Sequence, residues 1–309
     1  MKHLKYHGFE PVVQDQVSFH WFTFPGEDIE RAEALYELAS DPQIQILWAA
    51  RGGYGATRLL PLLDQLSEER GNPPANKLLL GYSDVTVLHE YVRSRWHWHT
   101  LHAPMPAASN FPKLAPREWQ AIVDYVRGRQ ADSPWAHERL HWLSPPPSGS
   151  IAAELIGGNL SLWAALAGTK YIQAAHGKIL FLEDIGEAFY RIDRMLTQLE
   201  QCGLLDGAAA IVLGDFTDCK DENNTCLAHP NSPERKPLRK VFGQEEAFKI
   251  IFGHLSQRLG VPLARGLPVG HGPNFAPLPL GGQYELTPGG QLSLRHWDWL
   301  SSRHSHSSE

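Results

Sequence analysis

The chain has 309 residues, a formal net charge of −6 and a hydrophobic fraction of 42%, which fit one large or two ordinary globular domains. The negative charge argues against a general nucleic-acid surface, and three cysteines argue against a disulfide framework. No apolar run approaches a membrane span, and the start MKHLKYHGFEP has no secretory signal. We therefore expect a cytoplasmic protein that binds neither membranes nor nucleic acids.

The first part of the chain alternates predicted strands with predicted helices. We expect the end of a helix and a short strand over residues 4–13, and an amphipathic helix over 26–40. A buried strand over 43–50 leads into the glycine cluster at 51–55, and a helix follows as far as Leu66. This alternation predicts a parallel sheet with helices on its faces, whose ligands lie beyond the carboxyl ends of the strands.

Residues 77–96, KLLLGYSDVTVLHEYVRSRW, indicate a strand, a tight turn and a helix. Ser83 lies in the turn, where its hydroxyl is exposed and the next backbone N–H begins a helix, as in a serine nucleophile. The G-x-S-x-G elbow is not matched, because Val85 stands at the second glycine position. A Ser83-Asp84 pair is also typical of an ordinary helix cap. This stretch alone leaves both interpretations open.

The composition changes near the middle of the chain. The His- and Trp-rich residues 96–105 indicate a strand with half-buried aromatic residues, with metal binding as the alternative. A helix is expected over 119–129, and the proline-rich run at 144–149 indicates a linker. We expect a nucleophile domain over 1–132, a linker over 133–150, a second domain that carries Glu183 and His271 over 151–300 and a disordered tail over 301–309.

The second part again alternates strands and helices. Strands are expected over 178–184 (KILFLED) and 208–216, and helices over 192–201 and 244–259, with short strands near the end. A long polar loop is expected over 217–236. It contains Cys219, Cys226 and His229, which lack the paired spacing of a zinc site, so no metal is expected.

Three residues could form a catalytic group. A serine hydroxyl needs a base, and the base needs an orienting partner. His271 lies in a Gly- and Pro-flanked loop, and Glu183 follows four apolar residues, so its carboxylate needs a partner such as His⁺. The backbone N–H groups of Gly52–Gly53 and of Asp84 could form an oxyanion hole for Ser83.

Seven blocks of sequence resemble the LD-carboxypeptidase family of serine peptidases, the muramoyltetrapeptide carboxypeptidases, with the microcin C self-immunity proteins as relatives. They occur in family order and cover nearly the whole chain. The blocks are AARGGYGATRLL (49–60), LLGYSDVTVLH (79–89), HAPM (102–105), GGNLSLWAALAGT (157–169), ILFLEDIGEAFYRIDRMLTQL (179–199), IVLGDF (211–216) and GLPVGH (266–271).

The resemblance implies that Ser83 is the nucleophile, His271 the base and Glu183 its carboxylate partner, with an oxyanion hole near Gly53 and Asp84. It implies an α/β fold, with an N-terminal parallel-sheet domain and a C-terminal α/β domain with a barrel-like β part. Family members are usually homodimers that need no metal or cofactor. They release the terminal D-Ala from cytoplasmic murein tetrapeptide during peptidoglycan recycling.

The substrate-binding residues are less defined. Arg51, Gly52 and Tyr54 are candidates within the glycine cluster, and Arg51 or Arg191 could bind the terminal carboxylate of the substrate. For Arg191 a structural ion pair is the alternative.

The chain departs from the family pattern in three places. Compared with the family pattern, it begins near the end of the first helix, so we expect the family's first strand to be missing. Ala103 stands where many relatives have glycine, and the 217–236 loop is longer than expected.

Two other functions stay open. One is a detoxifying hydrolase that cleaves a peptidyl-nucleotide antibiotic of the microcin C type. The other is a catalytically impaired protein that binds murein peptides, although the presence of all three candidate catalytic residues argues against it.

Overall fold

A computed structural model describes most of the chain. The described residues are 2–20, 24–109, 111–129, 133–221, 225–226, 240–241, 243–273, 275–297 and 299–300. The predicted tail at 301–309 lies outside these ranges, as do residues 222–224 and 227–236 of the predicted polar loop.

The first part of the chain alternates helices with short strands. In chain order they are α1 (Lys2–Tyr6), α2 (Asp28–Ser40), β1 (Ile46–Trp48), α3 (Leu60–Arg70), β2 (Leu78–Gly81), α4 (Thr86–Arg95), β3 (His99–His102) and α5 (Pro116–Val126). Short 3₁₀ turns precede α3 and α4, at Ala56–Leu59 and Ser83–Val85.

The second part contains longer strands and three further helices among the described residues. In chain order they are β4 (His141–Trp142), β5 (Ile151–Asn159), α6 (Leu160–Ala165), β6 (Ile179–Ile185), α7 (Phe189–Gln201), β7 (Ala210–Thr217), β8 (Thr225–Cys226), β9 (Lys240–Val241), α8 (Gln244–Leu259), β10 (Leu263–Arg265), β11 (Leu278–Leu280), β12 (Gln283–Leu286) and β13 (Leu292–His296).

Two sheets dominate the fold. The first has the order β1-β2-β3-β11, with β1 to β3 parallel and β11 antiparallel to β3. The second has the order β13-β12-β5-β6-β7-β10-β4, with a parallel centre and antiparallel edges. The predicted α/β class, with a parallel sheet followed by a curled, half-barrel sheet, is confirmed.

The structure confirms the predicted helices over 26–40 and 244–259, and the strand over the His-rich stretch, with small differences at their ends. The predicted short strand before Val13 is wrong, since residues 9–13 form none. Val12 and Val13 are 64% and 53% exposed, so no packing stabilises an extended pairing, and Pro11 lacks the N–H that a strand ladder needs.

Two strands cross the predicted division into domains. β4 lies in the predicted linker, yet it pairs with β10 at the edge of the second sheet. β11 lies in the predicted second domain, yet it completes the first sheet. The division itself stays a prediction, and one apolar core joins the sheets, with Leu80, Phe181 and Leu278 in the same cluster.

The sheets place three chain positions at or after the carboxyl ends of their strands. Ser83 follows the carboxyl end of β2, Glu183 lies near the carboxyl end of β6, and His271 lies in the turn after β10. No helix among the described residues is long and apolar enough to cross a membrane.

Candidate active site

The turn at Ser83 has the conformation of a nucleophile elbow. Strand β2 is fully buried and ends at Gly81, where an added Cβ would lie 2.7 Å from Val85 Cγ1, so glycine lets the chain turn tightly. Ser83 has a φ of 60°, a left-handed value that is uncommon for a residue other than glycine. Strain of this kind is concentrated at functional sites, and in α/β hydrolases it holds the serine hydroxyl outwards.

The alternative interpretation of Ser83 as an ordinary helix cap has little support in the geometry. Neither the 3₁₀ turn at Ser83–Val85 nor helix α4 has a side-chain cap hydrogen bond. The buried Asp84 carboxylate instead accepts a hydrogen bond from the Ala56 N–H at 2.8 Å. Asp84 therefore fastens the turn after β2 to the segment that follows the glycine cluster.

Glu183 and His271 form a hydrogen-bonded pair. Glu183 is fully buried, and its Oε2 atom lies 2.7 Å from His271 Nδ1 and 3.2 Å from the His271 backbone N, which donates to it. Gly270 makes room for this contact, because a Cβ there would lie 2.7 Å from the same Oε2 atom. The carboxylate thus orients both the ring and the backbone of His271.

The pair perturbs both ionisation equilibria. Burial opposes ionisation of Glu183, but the imidazoles of His102 and His271 more than offset this, and the pKa of Glu183 lies below its ordinary value. Burial also opposes the charged form of His271, but hydrogen bonding to the Glu183 carboxylate and its charge raise the pKa of His271. The arrangement stabilises an imidazolium opposite a carboxylate, as a general base requires.

Tyr82 connects the Ser83 turn with His271. The ring centroids of Tyr82 and His271 are 4.8 Å apart, and Tyr82 also packs edge-on against Phe275 at 4.5 Å. Because Tyr82 immediately precedes Ser83 in the chain, its contact with His271 places the Ser83 turn next to the His271 turn. The structure therefore gathers all three predicted catalytic residues in one region, while their roles stay predictions.

The predicted oxyanion residues lie beside Ser83. A Cβ added to Gly52 would lie 3.0 Å from Ser83 Cβ and 3.3 Å from its Oγ, so the glycine cluster packs directly on the serine. Gly53 has a φ of 126°, a conformation that favours glycine. The geometry is compatible with donors from Gly53 and Asp84, whose role in an oxyanion hole stays a prediction.

The substrate-binding candidates lie at the surface. Arg51 is exposed, and Tyr54 is 69% exposed and packs against Phe24. Arg191 lies 3.7 Å from Glu187 and over the ring of Tyr190, which favours the structural ion pair rather than substrate binding.

Asn159 is a site residue that sequence reasoning did not assign. Its Nδ2 atom donates to Asp184 Oδ1 at 3.0 Å and to Glu183 Oε1 at 3.4 Å, while its Oδ1 caps α6. Its backbone N–H donates to Thr86 Oγ1, one turn after Ser83. The GGN sequence before a predicted helix was the available signal, since Asn is a favoured cap.

His102 was predicted only as a half-buried residue of a strand. It is fully buried, its ring stacks on Phe275, and its Nε2 atom lies 3.8 Å from Glu183 Oε1, beyond hydrogen-bond range. Neither ring nitrogen has a hydrogen-bond partner among the described residues. His102 therefore lies next to Glu183 in the core, where its ring helps to lower the pKa of the Glu183 carboxyl group.

A metal site would need three or more His, Cys, Asp or Glu side chains close together. The part of the chain that the structure describes contains no such group. Cys219 is buried and its thiol donates to the Thr217 carbonyl. His229 and the side chain of Cys226 lie outside the described part of the structure.

Comparisons with known proteins agree on one family. The sequence model of the LD-carboxypeptidase N-terminal domain matches residues 1–103, and that of the LD-carboxypeptidase C-terminal domain matches residues 152–286. The murein tetrapeptide carboxypeptidase of Pseudomonas aeruginosa is 32% identical over 293 residues, which cover 91% of this chain and 85% of that protein.

Solved structures are similar over most of the fold. The crystal structure of muramoyltetrapeptide carboxypeptidase from Oxalobacter formigenes gives a TM-score of 0.66 at 28% identity, covering 94% of this chain and 90% of that one. The structure of MccF in complex with glutamyl sulfamoyl guanosine gives a TM-score of 0.72 at 20% identity, covering 96% and 89%. At 20% identity, the similarity to MccF shows a shared fold and no more.

Proposed function

Because this chain belongs to the LD-carboxypeptidase family and is a serine-type carboxypeptidase, we propose that it releases the terminal D-Ala from murein tetrapeptide in peptidoglycan recycling. The observation that supports this most directly is the buried Glu183–His271 pair, joined through Tyr82 to the strained Ser83 turn. A nucleophile, a base and an orienting carboxylate are the parts that acyl transfer needs.

The proposed reaction begins with attack of Ser83 Oγ on the carbonyl that precedes D-Ala. With Nδ1–H donated to Glu183, the lone pair of His271 Nε2 accepts the serine proton. The resulting imidazolium then protonates the leaving amine, so that D-Ala departs and an acyl-enzyme on Ser83 remains. Water activated by His271 hydrolyses the acyl-enzyme and restores the serine.

The glycine cluster supports the tetrahedral intermediate in this mechanism. The backbone N–H groups of Gly53 and Asp84 would bind the oxyanion beside Ser83. One such donor typically contributes about 2.7–4 kcal/mol to the transition state. Glycine at position 52 lets the cluster pack this closely on Ser83, because an added Cβ would lie only 3.0 Å from Ser83 Cβ.

The test uses two matched peptides and mass spectrometry. The purified protein is incubated with murein tetrapeptide ending in D-Ala and with the same peptide ending in L-Ala. Release of alanine from the first peptide only would support the proposal, since an LD-carboxypeptidase reads both stereocentres at the scissile bond. Release from neither peptide, by folded protein, would contradict it.

A second candidate is hydrolysis of a peptidyl-nucleotide antibiotic. Tyr54 is an exposed aromatic residue within the glycine cluster, and a nucleobase could stack on such a ring. An aminoacyl sulfamoyl nucleoside is therefore assayed in parallel with the two peptides. Faster cleavage of the nucleoside would favour this candidate, and tight peptide binding without product would indicate a catalytically impaired binding protein.

Location and assembly complete the proposal. We expect a cytoplasmic homodimer, as the family resemblance implies. Light scattering on the purified protein tests the assembly, and fractionation of the producing cells tests the compartment. A monomer at micromolar concentration would contradict the homodimer. Recovery of the protein from a fraction outside the cytoplasm would contradict the cytoplasmic location.

A further inference from the structure

The LGDF sequence at the end of β7 contains an acidic residue that the proposed mechanism does not use. Leu182 of β6 pairs with Leu213 of β7, but Asp184 pairs with Phe216. One residue of β6, Glu183, therefore faces two residues of β7, Gly214 and Asp215. Such a bulge rotates the side chains that follow it, and bulges are common beside active sites.

The bulge changes the side of the sheet that Asp215 occupies. Without it, Asp215 would pair with Asp184 and share its side. With it, Asp215 lies on the side of Glu183, towards the turn that carries His271. A Cβ added to Gly272 would lie 2.1 Å from Asp215 Oδ2, which shows how closely the carboxyl group packs against that turn.

Two strands therefore hold the His271 turn from adjacent positions. From β6, Glu183 accepts from the His271 N–H. From β7, the Asp215 N–H donates to the Val269 carbonyl at 2.9 Å, and its carboxyl group covers Gly272. Val269 and Gly272 lie on either side of the base along the chain, so Asp215 contacts the turn before and after it.

The electrostatic surroundings of Asp215 are unusual for a structural residue. Its Oδ2 atom is buried and has no hydrogen-bond partner among the described residues. Burial and the charge of Glu183 raise the pKa of Asp215 to about 7, against the opposing influence of the Gly272 N–H and His271. The other titratable groups near this cluster are Asp184 on β6 and His102 on β3.

We propose that Asp215 is a positioning residue for His271: its carboxyl group holds the Val269–Gly272 turn and, when ionised, adds a second negative charge that stabilises the His271 imidazolium. The two carboxylates then differ in their roles. Glu183 hydrogen-bonds the ring and stays ionised. Asp215 carries no hydrogen bond to the ring and changes charge near neutral pH, so its influence on the base depends on pH.

The first test does not need turnover, although the proposal rests on His271 being the base of the proposed function. The imidazole titration of His271 is followed by NMR in wild type and in Asp215→Asn, with His271→Gln used to identify the signal among 16 histidines. We expect the Asp215→Asn midpoint to lie about one pH unit below that of wild type. Asp64→Asn, which removes a carboxylate bonded to Tyr91 and Tyr171 instead, should leave the midpoint unchanged.

The second test is the pH dependence of kcat/KM for D-Ala release. Asp215→Asn should match wild type at acid pH, where the side chain at position 215 is neutral in both proteins, and its kcat/KM should fall below that of wild type by up to about tenfold as pH rises through 7. Asp215→Ala removes the contact with Gly272 as well as the charge, so it should add a loss that does not depend on pH to the same pH-dependent loss.

The outcomes separate the two proposals. An unchanged His271 midpoint in folded Asp215→Asn, or an equal loss of activity at every pH, would overturn the role of Asp215. Failure of wild type to release D-Ala would contradict the proposed function, while the NMR titration would still decide the role of Asp215.

Discussion

Glu183 Oε2 lies 2.7 Å from His271 Nδ1, although 88 residues separate the two in the chain. The contact joins the end of β6 to the turn after β10, and both sit at the same end of the second sheet. A fully buried carboxylate without such a partner would be costly to ionise. The pair is therefore the feature from which most of the expected behaviour of this enzyme follows.

Glu183→Gln should reduce kcat on the order of 10³–10⁴-fold with little change in the fold. The amide keeps the shape of the side chain but cannot hold His271 in the correct tautomer or stabilise the imidazolium. Steady-state kinetics of D-Ala release measures the loss. Glu200→Gln, which breaks a surface ion pair with Arg258, is the control and should retain wild-type activity. Equal activity of both variants would exclude Glu183 from the mechanism.

The kcat/KM of the enzyme should fall as pH is lowered, and the midpoint of this fall should lie above the ordinary pKa of histidine. His271 acts as a base only when neutral, and hydrogen bonding to Glu183 raises the pKa of His271 against the effect of burial. As pH is lowered, His271 therefore becomes protonated, and inactive as a base, at a higher pH than an ordinary histidine would. A profile of kcat/KM from about pH 5 to 9 checks this expectation. An acid limb below the ordinary histidine range would show that Glu183 does not act on the base in this way.

Asn159→Ser and Asn159→Ala should separate two roles of one side chain. Serine can still cap α6, whereas alanine cannot, so Asn159→Ala should lose about 1 kcal/mol more unfolding free energy than Asn159→Ser. Both variants remove the amide that donates to Glu183 and Asp184, so both should lose about tenfold in kcat. Thermal melts and kinetics measure the two effects. Full activity in Asn159→Ser would show that the amide bridge is dispensable.

Gly52→Ala should impair catalysis more than stability. The new Cβ would lie 3.0 Å from Ser83 Cβ and 3.1 Å from Met105 Cε, so the serine or the methionine must move. A small displacement of a nucleophile can cost about 10²-fold in rate. Gly149→Ala is the matched control, because no heavy atom outside its chain neighbours lies within 4 Å of its added Cβ. Similar kinetics for the two variants would indicate that the contact with Ser83 has no catalytic consequence.

Local sequence signals predicted the elements that carry the site. The apolar run before Gly81 and the helical spacing after it predicted the turn at Ser83, and the structure adds its left-handed backbone. The four apolar residues before Glu183 in KILFLED predicted that its carboxylate is buried and needs a partner. In both cases the information lies within a few residues, where hydrophobic periodicity and turn chemistry act.

Long-range features were not predictable in the same way. The return of β11 to the first sheet depends on pairing between residues such as Leu278 and His102, which no local pattern encodes. The bulge at Gly214 and Asp215 depends on the register of β7 against β6. A one-residue shift of register exchanges the two faces of a strand, so the neighbours of Asp215 follow only from the folded structure.

The most direct test of the account is the turnover of murein tetrapeptide by wild type and by Ser83→Ala, followed by mass spectrometry. The account predicts D-Ala release by wild type and none above background by a Ser83→Ala protein with an unchanged circular dichroism spectrum. Release by Ser83→Ala at a rate near that of wild type would contradict the central claim that Ser83 is the nucleophile.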